Sequence, residues 1–316
     1  MKTLAEQIES LYHIPVQPQG AAWTVTEAYT FCRTLTLSHY ENFPVGSLLV
    51  PRSLRRHVHA IYAFARIADD FADEPCYEGQ RLERLEDWDA QLQEAYQGRA
   101  YHPVFLALAQ TVNELDLPLA LFRDLLTAFK MDVTVKRYET FDDVLGYCRY
   151  SANPVGRLIL CLFDHRDPQL FAYSDCICTA LQLANFWQDV AIDLKKNRIY
   201  IPRADQAECG YSELELFHHV YDARFQRLMH RQVQRTWALF EEGFPLVEHV
   251  PFPLSAELRF TWLGGVTILA RTRQSVYRVF DRRPQLTKMD FLRLGWRSLW
   301  PLFRVKEKRR AEFASG

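Results

Sequence analysis

The chain has 316 residues, of which 48% are apolar and 14% aromatic, and its formal net charge is −1. This composition is sufficient for a substantial core, and the balanced charge gives little support to nucleic-acid binding. No stretch reaches the ~18 consecutive apolar residues typical of a membrane-spanning helix. We therefore expect a soluble globular protein.

The N-terminus and the cysteines favour a cytoplasmic location. The first segment, MKTLAEQIESLYHIP, contains two Glu and no apolar run, so we do not expect a signal peptide. The seven cysteines are odd in number and show no CxxC spacing. We expect reduced, buried thiols, including the pair Cys176 and Cys178.

Helical spacing of apolar residues runs through nearly the whole chain, and alternating apolar–polar runs are absent. No repeat or linker divides the sequence, so we predict one all-α domain over 1–316, with a core at about 27–290 and a basic, aromatic tail at about 296–316. Proline and glycine mark the breaks between helices. The predicted helices are 24–40, 52–73, 79–97, 102–114, 118–135, 140–153, 155–163, 167–194, 212–243, 254–280 and 287–302.

The helix containing HAIYAFARIADDFADE (59–74) carries one polar stripe. Tyr62, Arg66, Asp69 and Asp73 are spaced by four, three and four residues, which places them within ~60° of the helix surface. Small or apolar residues fill most other positions, so the stripe must face something polar inside the protein. The alternative is that Arg66 only bridges Asp69 or Asp70 structurally.

The stretch LQLANFWQDVAIDL (181–194) repeats this pattern. Asn185, Asp189 and Asp193 are spaced i, i+4, i+8, and Gln182 falls in the same arc. Oxygen ligands one helical turn apart suit Mg²⁺. The alternative is an amphipathic helix whose acidic residues face water.

The two stripes together predict a specific chemistry if they face each other. Their carboxylates would repel, and the pKa values would rise unless cations were present. Two or three Mg²⁺ ions would satisfy them and leave coordination positions for phosphate oxygens. An acidic mouth over an apolar cavity favours ionisation of a diphosphate, with aromatic rings stabilising the resulting carbocation.

Three motifs resemble those of the squalene/phytoene synthase family of trans-isoprenyl diphosphate synthases, over roughly residues 27 to 290. The first motif is Tyr62-x-x-x-Arg66-x-x-Asp69-Asp70-x-x-Asp73, and the second is Asn185-x-x-x-Asp189-x-x-x-Asp193, followed by Arg198 and Tyr200. The third is YCRYSANPVGRL (147–158). The resemblance implies an isoprenoid-synthase helical bundle around a central apolar cavity.

The resemblance also implies roles for individual residues. The predicted Mg²⁺ ligands, called the four motif aspartates below, are Asp69, Asp73, Asp189 and Asp193. The residues predicted to bind substrate or diphosphate in these motifs are Arg66, Gln182, Asn185 and Arg198. The residues predicted to lie near the leaving group or the cationic carbons, as catalytic residues, are Tyr62, Tyr147 and Tyr200. Without the resemblance, each tyrosine is as well explained by core packing.

The chain departs from the family pattern in three places. Many relatives carry Ser-Lys-Ser-Phe before the first acidic motif, but alignment on Phe43 puts Tyr40, Glu41 and Asn42 there. We predict that Tyr40, Asn42 and Phe43 contact the substrate. The second acidic motif ends in Leu194 instead of another acid, and Pro154 should kink or end its helix.

The combination HYENFPVGS, YCRYSANPVG and NFWQDVAID resembles the bacterial hydroxysqualene synthase branch, which serves hopanoid biosynthesis. This implies that presqualene diphosphate is ionised, rearranged and captured by water, with handover from or to neighbouring pathway enzymes. No GxGxxG fingerprint appears, so NADPH is not expected. The alternatives are head-to-head condensation to presqualene diphosphate, dehydrosqualene or phytoene, and a non-catalytic helical assembly factor.

Two basic regions keep two interpretations each. The segment WRSLWPLFRVKEKRR combines Trp296, Trp300 and Phe303 with several Lys and Arg. It is typical either of peripheral contact with the inner face of an anionic membrane or of a solvated tail. Arg271 either lines the diphosphate site or faces solvent.

Overall fold

The structure is a computed structural model that describes residues 23–38 and 50–299, and within these ranges it is built from helices. The first seven α-helices are α1 (Val25–Ser38), α2 (Arg52–Asp73), α3 (Arg81–Tyr96), α4 (Pro103–Leu115), α5 (Leu119–Thr134), α6 (Phe141–Ser151) and α7 (Asn153–Leu162). The next eight are α8 (Pro168–Gln188), α9 (Val190–Lys195), α10 (Arg203–Glu208), α11 (Glu213–Phe217), α12 (Ala223–Gly243), α13 (Leu246–His249), α14 (Leu254–Gln274) and α15 (Lys288–Ser298). A 3₁₀ turn spans Pro75–Tyr77, and a single β-bridge joins Arg137 to Ile199 within the described ranges. The predicted all-α class is confirmed for them.

Helix α2 is the centre of the N-terminal cluster of buried side chains and packs on α1, α3, α4 and α5. Phe64 of α2 is fully buried, with its ring 6.1 Å from that of Trp88 and 5.4 Å from that of Phe122. The Trp88 indole also donates a hydrogen bond to the Phe64 carbonyl, at 3.2 Å. This packing on several sides fixes the direction in which the polar stripe of α2 points.

Helix α8 is the centre of a second cluster and packs most extensively on α12. The two backbones approach so closely that a Cβ at Gly243 would lie 2.7 Å from the Tyr173 carbonyl oxygen and 2.9 Å from the Ile177 nitrogen. Trp187 of α8 donates a hydrogen bond to the Thr236 hydroxyl at 2.8 Å. The close packing and the buried bond hold the end of α8 that leads into the second acidic motif.

The two clusters share helices. Helix α5 contributes Leu126 to the first cluster and Ala128 to the second, and α7 contributes Leu158 and Leu160 in the same way. The organisation of the whole chain as one domain stays a prediction.

Two predicted helices are divided in the structure, and a third ends earlier than the periodicity suggested. The predicted helix 167–194 is interrupted at Asp189, which has φ −106° and ψ 13°, so the expectation of one continuous helix was wrong. The predicted helix 212–243 is divided because Asp222 caps a new helix, accepting from the backbone N–H groups of Arg224 and Phe225. The predicted helix 254–280 ends at Gln274, and Val276 and Tyr277 follow with φ of 53° and 61°.

Other local predictions were more successful. Helix α2 has the predicted bounds, and Pro154 lies in the first turn of α7 after a break at Ala152, as expected from its missing N–H. The cysteines are all free, and three of them are buried as predicted, but Cys76 is exposed and three are only partly buried (Cys176, Cys178 and Cys209), so the prediction of buried thiols was wrong at these four. No helix in the described ranges is long and apolar enough to cross a membrane.

Candidate active site

The polar stripe of α2 begins with an ion-paired arginine. The Arg66 guanidinium lies 3.4 Å from an Asp69 oxygen and also pairs with the buried Asp70 carboxylate. The structural bridge considered from the sequence is therefore present. It leaves the Asp69 side chain 44% exposed to solvent and open to a further ligand.

Asp73, one turn further along α2, connects the first motif to the segment after α9. Its two carboxylate oxygens accept from Lys196 at 2.9 Å and from Arg198 at 2.5 Å. Burial favours the neutral carboxyl, but these two cations hold the pKa of Asp73 below its usual value. The first acidic motif and the basic residue that follows the second motif thus meet at one place.

The second motif lies across the break between α8 and α9. Arg283, from the segment between α14 and α15, forms a two-point pair with the Asp189 carboxylate, with Nη2 3.0 Å from Oδ2. Asp193, in the first turn of α9, is partly buried. Burial raises the pKa of Asp193 to about 7, and the nearby Asp189 and Asp132 carboxylates add to the rise.

Asp132 of α5 is a carboxylate that the sequence reasoning missed. It accepts from the Tyr147 hydroxyl, at 2.9 and 3.1 Å, and its backbone carbonyl accepts from Arg198 at 3.3 Å. Burial raises the pKa of Asp132 to about 6, and Asp73 opposes ionisation further. The available signal was one acid in the largely apolar stretch LLTAFKMDV, which also contains Thr127 and Lys130.

Burial and neighbouring acids also act on Asp69. Loss of water around the carboxyl raises its pKa to about 6; Arg66 opposes the rise, while Asp73, Asp70 and Asp132 increase it. Carboxylates from α2 and from α9 therefore each interact electrostatically with Asp132 of α5, which lies between the two acidic motifs in this set of interactions.

Four aromatic rings pack beside these carboxylates. Phe186 stacks on Tyr200 with centroids 3.6 Å apart, Tyr138 stacks on the same ring at 5.6 Å, and Tyr147 lies 5.8 Å from it. All four side chains are buried. We call Tyr138, Tyr147, Phe186 and Tyr200 the aromatic cluster.

The remaining predicted residues are distributed less evenly. The Tyr62 hydroxyl is shielded from solvent and burial raises its pKa, whereas Gln182 is partly buried and Asn185 is exposed. Arg271 pairs with Asp290 at 2.7 Å and is half-buried, which differs from the solvent-facing interpretation. Tyr40, Asn42 and Phe43 lie outside the described residues.

The carboxylate oxygens of the four motif aspartates are donors that suit hard divalent cations, although two of these aspartates form ion pairs with Lys or Arg in the structure. Within 23–38 and 50–299, no three acidic, histidine or cysteine side chains converge as ligands of one ion. Asp73 and Asp189 are instead held by Lys196, Arg198 and Arg283. Burial, and to a lesser extent the neighbouring carboxylates, raise the pKa values of Asp69 and Asp193, and bound Mg²⁺ would favour their ionised forms.

Comparison with known proteins places this geometry in a family. The sequence profile of the family described as squalene/phytoene synthase matches residues 37–290. The chain belongs to the squalene/phytoene synthase family. Members of this family are enzymes that use isoprenyl diphosphates, and the chain is an enzyme of this type.

Individual relatives cover most of the chain. A phytoene synthase of Arthrospira platensis is 30% identical over 86% of this chain and 93% of its own length. The crystal structure of squalene synthase HpnC from Alicyclobacillus acidocaldarius matches with a TM-score of 0.78 and 41% identity, covering 80% of this chain and 95% of that one. A dehydrosqualene synthase structure, at 24% identity and a TM-score of 0.74, covers 87% of this chain and 96% of its own and supports the fold.

Proposed function

We propose that this enzyme ionises presqualene diphosphate and directs capture of the rearranged cation by water, giving hydroxysqualene and diphosphate. The observation that carries the proposal is the meeting of both acidic motifs at Arg198, directly beside the aromatic cluster. The 41% identity to a squalene synthase supports a squalene-type product over phytoene, and the choice of hydroxysqualene rests on the sequence resemblance. The resemblance of the segment around Tyr40 to Phe43 to the hydroxysqualene synthase branch also favours this product.

The first step is departure of the diphosphate. Its carbon–oxygen bond breaks heterolytically, and the bonding electrons leave with the phosphate oxygen. Arg66, Lys196 and Arg198 provide positive charge at the mouth of the cleft, where that oxygen becomes negative. The four motif aspartates would hold Mg²⁺, whose chemistry is to neutralise charge on such a leaving group as a Lewis acid.

The second step is protection and capture of the carbocation. The ring faces of the aromatic cluster stabilise positive charge without bonding to it. Burial and Asp132 raise the pKa of Tyr147 well above its usual value, so this hydroxyl stays neutral and does not trap the cation as a phenolate. Because its proton is donated to Asp132, the Tyr147 oxygen can accept a hydrogen bond from the attacking water, and the proton that this water loses as the new carbon–oxygen bond forms passes through Tyr147 to the Asp132 carboxylate.

A head-to-head prenyl transfer is the second candidate, and the phytoene synthase relatives at 30% identity favour it. In that reaction the same ionising site would act on farnesyl or geranylgeranyl diphosphate, and a second prenyl diphosphate would attack the cation. The motifs and the aromatic cluster suit either reaction.

Purified enzyme with Mg²⁺ should be incubated separately with presqualene, farnesyl and geranylgeranyl diphosphates in ¹⁸O-labelled water. The proposal predicts turnover of presqualene diphosphate to hydroxysqualene, with one ¹⁸O atom detected by mass spectrometry. Turnover of only farnesyl or geranylgeranyl diphosphate would contradict it and favour the second candidate. We also propose a cytoplasmic location with peripheral membrane contact.

A further inference from the structure

Helix α15 has two opposite faces. Its inner face buries Leu294 and Ser298, and Phe291 stacks on Phe260 of α14 with centroids 6.2 Å apart. Its outer face carries four large apolar side chains that remain 58–70% exposed, a pattern that soluble surfaces seldom keep in one row. This outer stripe consists of Met289, Leu292, Trp296 and Leu299.

The spacing of the outer stripe is regular. Positions 289, 292, 296 and 299 recur at three and four residues, so the side chains lie along one line of the helix. Lys288 flanks this line on one side, and Arg293 and Arg297 flank it on the other. The single acid of the helix, Asp290, is already paired with Arg271 and caps the N-terminus through Thr287.

We infer that the outer stripe of α15 docks on an anionic phospholipid bilayer, with the helix lying in the interface plane. Apolar side chains flanked by Lys and Arg are the chemistry that such a surface recognises. The inference does not depend on which prenyl diphosphate the enzyme uses.

The positive charge beside the outer stripe favours an anionic bilayer over two other occupants, namely a second copy of the chain and the residues that follow Leu299. Two copies meeting at this stripe would bring their flanking Lys and Arg together, and four side chains are few against the about 20–30 residues per side of a standard interface. The 17 residues after Leu299 contain five Lys or Arg and two Glu, so they would also meet like charge on the stripe. That sequence is better complemented by anionic lipid.

The position of α15 connects this surface to the candidate active site. The segment just before it supplies Arg283 to Asp189 and the Pro284 carbonyl to the Gln188 amide. Arg271 then ties the first turn of α15 to α14 at the same end. A bilayer under α15 would therefore lie close to the cleft that receives a lipid substrate.

The test is sedimentation of the full chain with vesicles of phosphatidylcholine alone and of mixed phosphatidylcholine and phosphatidylglycerol. We expect binding to the mixed vesicles, and a fall of about ten-fold or more in the partition coefficient for Leu292→Ser combined with Trp296→Ser. Leu214→Ser is the matched control because Leu214 of α11 is 66% exposed and Leu292 is 70% exposed. Circular dichroism and thermal melting check that the variants fold.

A second pair of variants isolates charge. Lys288→Gln with Arg293→Gln should weaken binding to mixed vesicles several-fold and reduce its dependence on salt. The inference is overturned if the wild-type chain binds neither vesicle, or if the Leu292 and Trp296 variant binds like the Leu214 control. It is also overturned if only a chain lacking residues 300–316 binds, or if the stripe variant dissociates a dimer measured by light scattering without changing lipid binding.

Discussion

The two acidic motifs rest on differently built supports. Asp69 and Asp73 lie one turn apart on the unbroken helix α2, which is packed on several sides. Asp189 is the junction residue between α8 and α9, and Asp193 lies in the first turn of α9. The first pair is therefore fixed by α2 alone, whereas the relative placement of the second pair depends on the junction at Asp189.

Each motif nevertheless divides its work in the same way. In each motif, one aspartate forms ion pairs with cations that are distant in the sequence. Asp73 pairs with Lys196 and Arg198, and Asp189 pairs with Arg283. The other has a raised pKa, about 6 for Asp69 and about 7 for Asp193. The cations of Asp73 come from beside the second motif, so they tie the motifs together; Arg283 ties the second motif to the segment before α15.

The strongest test of this common division is to neutralise one aspartate in each motif. Asp69→Asn and Asp189→Asn should each lower product formation by more than about 100-fold, because both carboxylates are needed to hold cations at the leaving group. Product is measured by gas chromatography with saturating Mg²⁺. Asp175→Asn is the control, since Asp175 also lies on α8 and pairs with Arg157. Equal activity of the Asp189 and Asp175 variants would contradict the shared site.

Stability should respond in opposite directions to the two kinds of aspartate. The pKa of Asp193 is raised from 3.8 to about 7, so the native state binds this proton more tightly, and its contribution to stability falls as pH rises through that window. Asp193→Asn should therefore increase the free energy of unfolding at pH 8, with chelator present, by on the order of 2 kcal/mol. Urea titrations from pH 5 to about 8 measure the free energy of unfolding, which should depend less on pH in Asp193→Asn than in the wild type.

Asp73→Asn is the opposing variant. The lowered pKa of Asp73 means that its contribution is present at neutral pH and is lost as the carboxylate is protonated in acid. This variant should lower stability at pH 8. Destabilisation by both variants would contradict the division.

Loss of the hydrogen bond between Tyr147 of α6 and Asp132 of α5 should have a smaller effect on catalysis. Tyr147→Phe removes the hydrogen bond to Asp132 and should lower kcat/KM about ten-fold, because a buried carboxylate loses its donor. Tyr138→Phe is the control, since it removes a hydroxyl from the same aromatic cluster without touching that bond. The interpretation is wrong if the two variants are kinetically alike.

The smallest expected effect concerns the cation at Asp189. Arg283→Gln should increase the affinity for Mn²⁺ in the absence of substrate by about three-fold, because a half-exposed ion pair no longer competes for the carboxylate. Binding is followed by the electron paramagnetic resonance signal of free Mn²⁺. Arg282→Gln makes the same charge change at the neighbouring position. An equal gain in both variants would indicate a general charge effect.

The sequence predicted the elements whose information is local. Helix α2 has the predicted bounds because its apolar positions and flanking prolines specify it, and the polar stripe follows from the spacing of Arg66, Asp69 and Asp73. The interruption at Asp189 was missed because neither Gly nor Pro marks it. Nothing in the periodicity of 181–194 distinguishes one helix from two.

Ion-pair partners that are distant in the sequence could not be predicted from local sequence patterns. Arg283 lies 94 residues from Asp189, and Arg198 lies 125 residues from Asp73, so only the packed fold brings them together. Asp132 could have been suspected as an acid in an apolar stretch, but its bond to Tyr147 depends on the packing of α5 on α6. The family resemblance named the four motif aspartates and Arg198, whereas the structure added the ion pairs of Asp73 with Lys196 and Arg198 and of Asp189 with Arg283.

The most direct test of the central claim is calorimetric titration of inorganic diphosphate into the wild-type enzyme with and without Mg²⁺. If the two acidic motifs form one diphosphate site through divalent cations, binding should require Mg²⁺ and should be abolished by Asp69→Asn and by Asp193→Asn alike. Equal binding of diphosphate in the presence of chelator, or its retention in both variants, would contradict that claim.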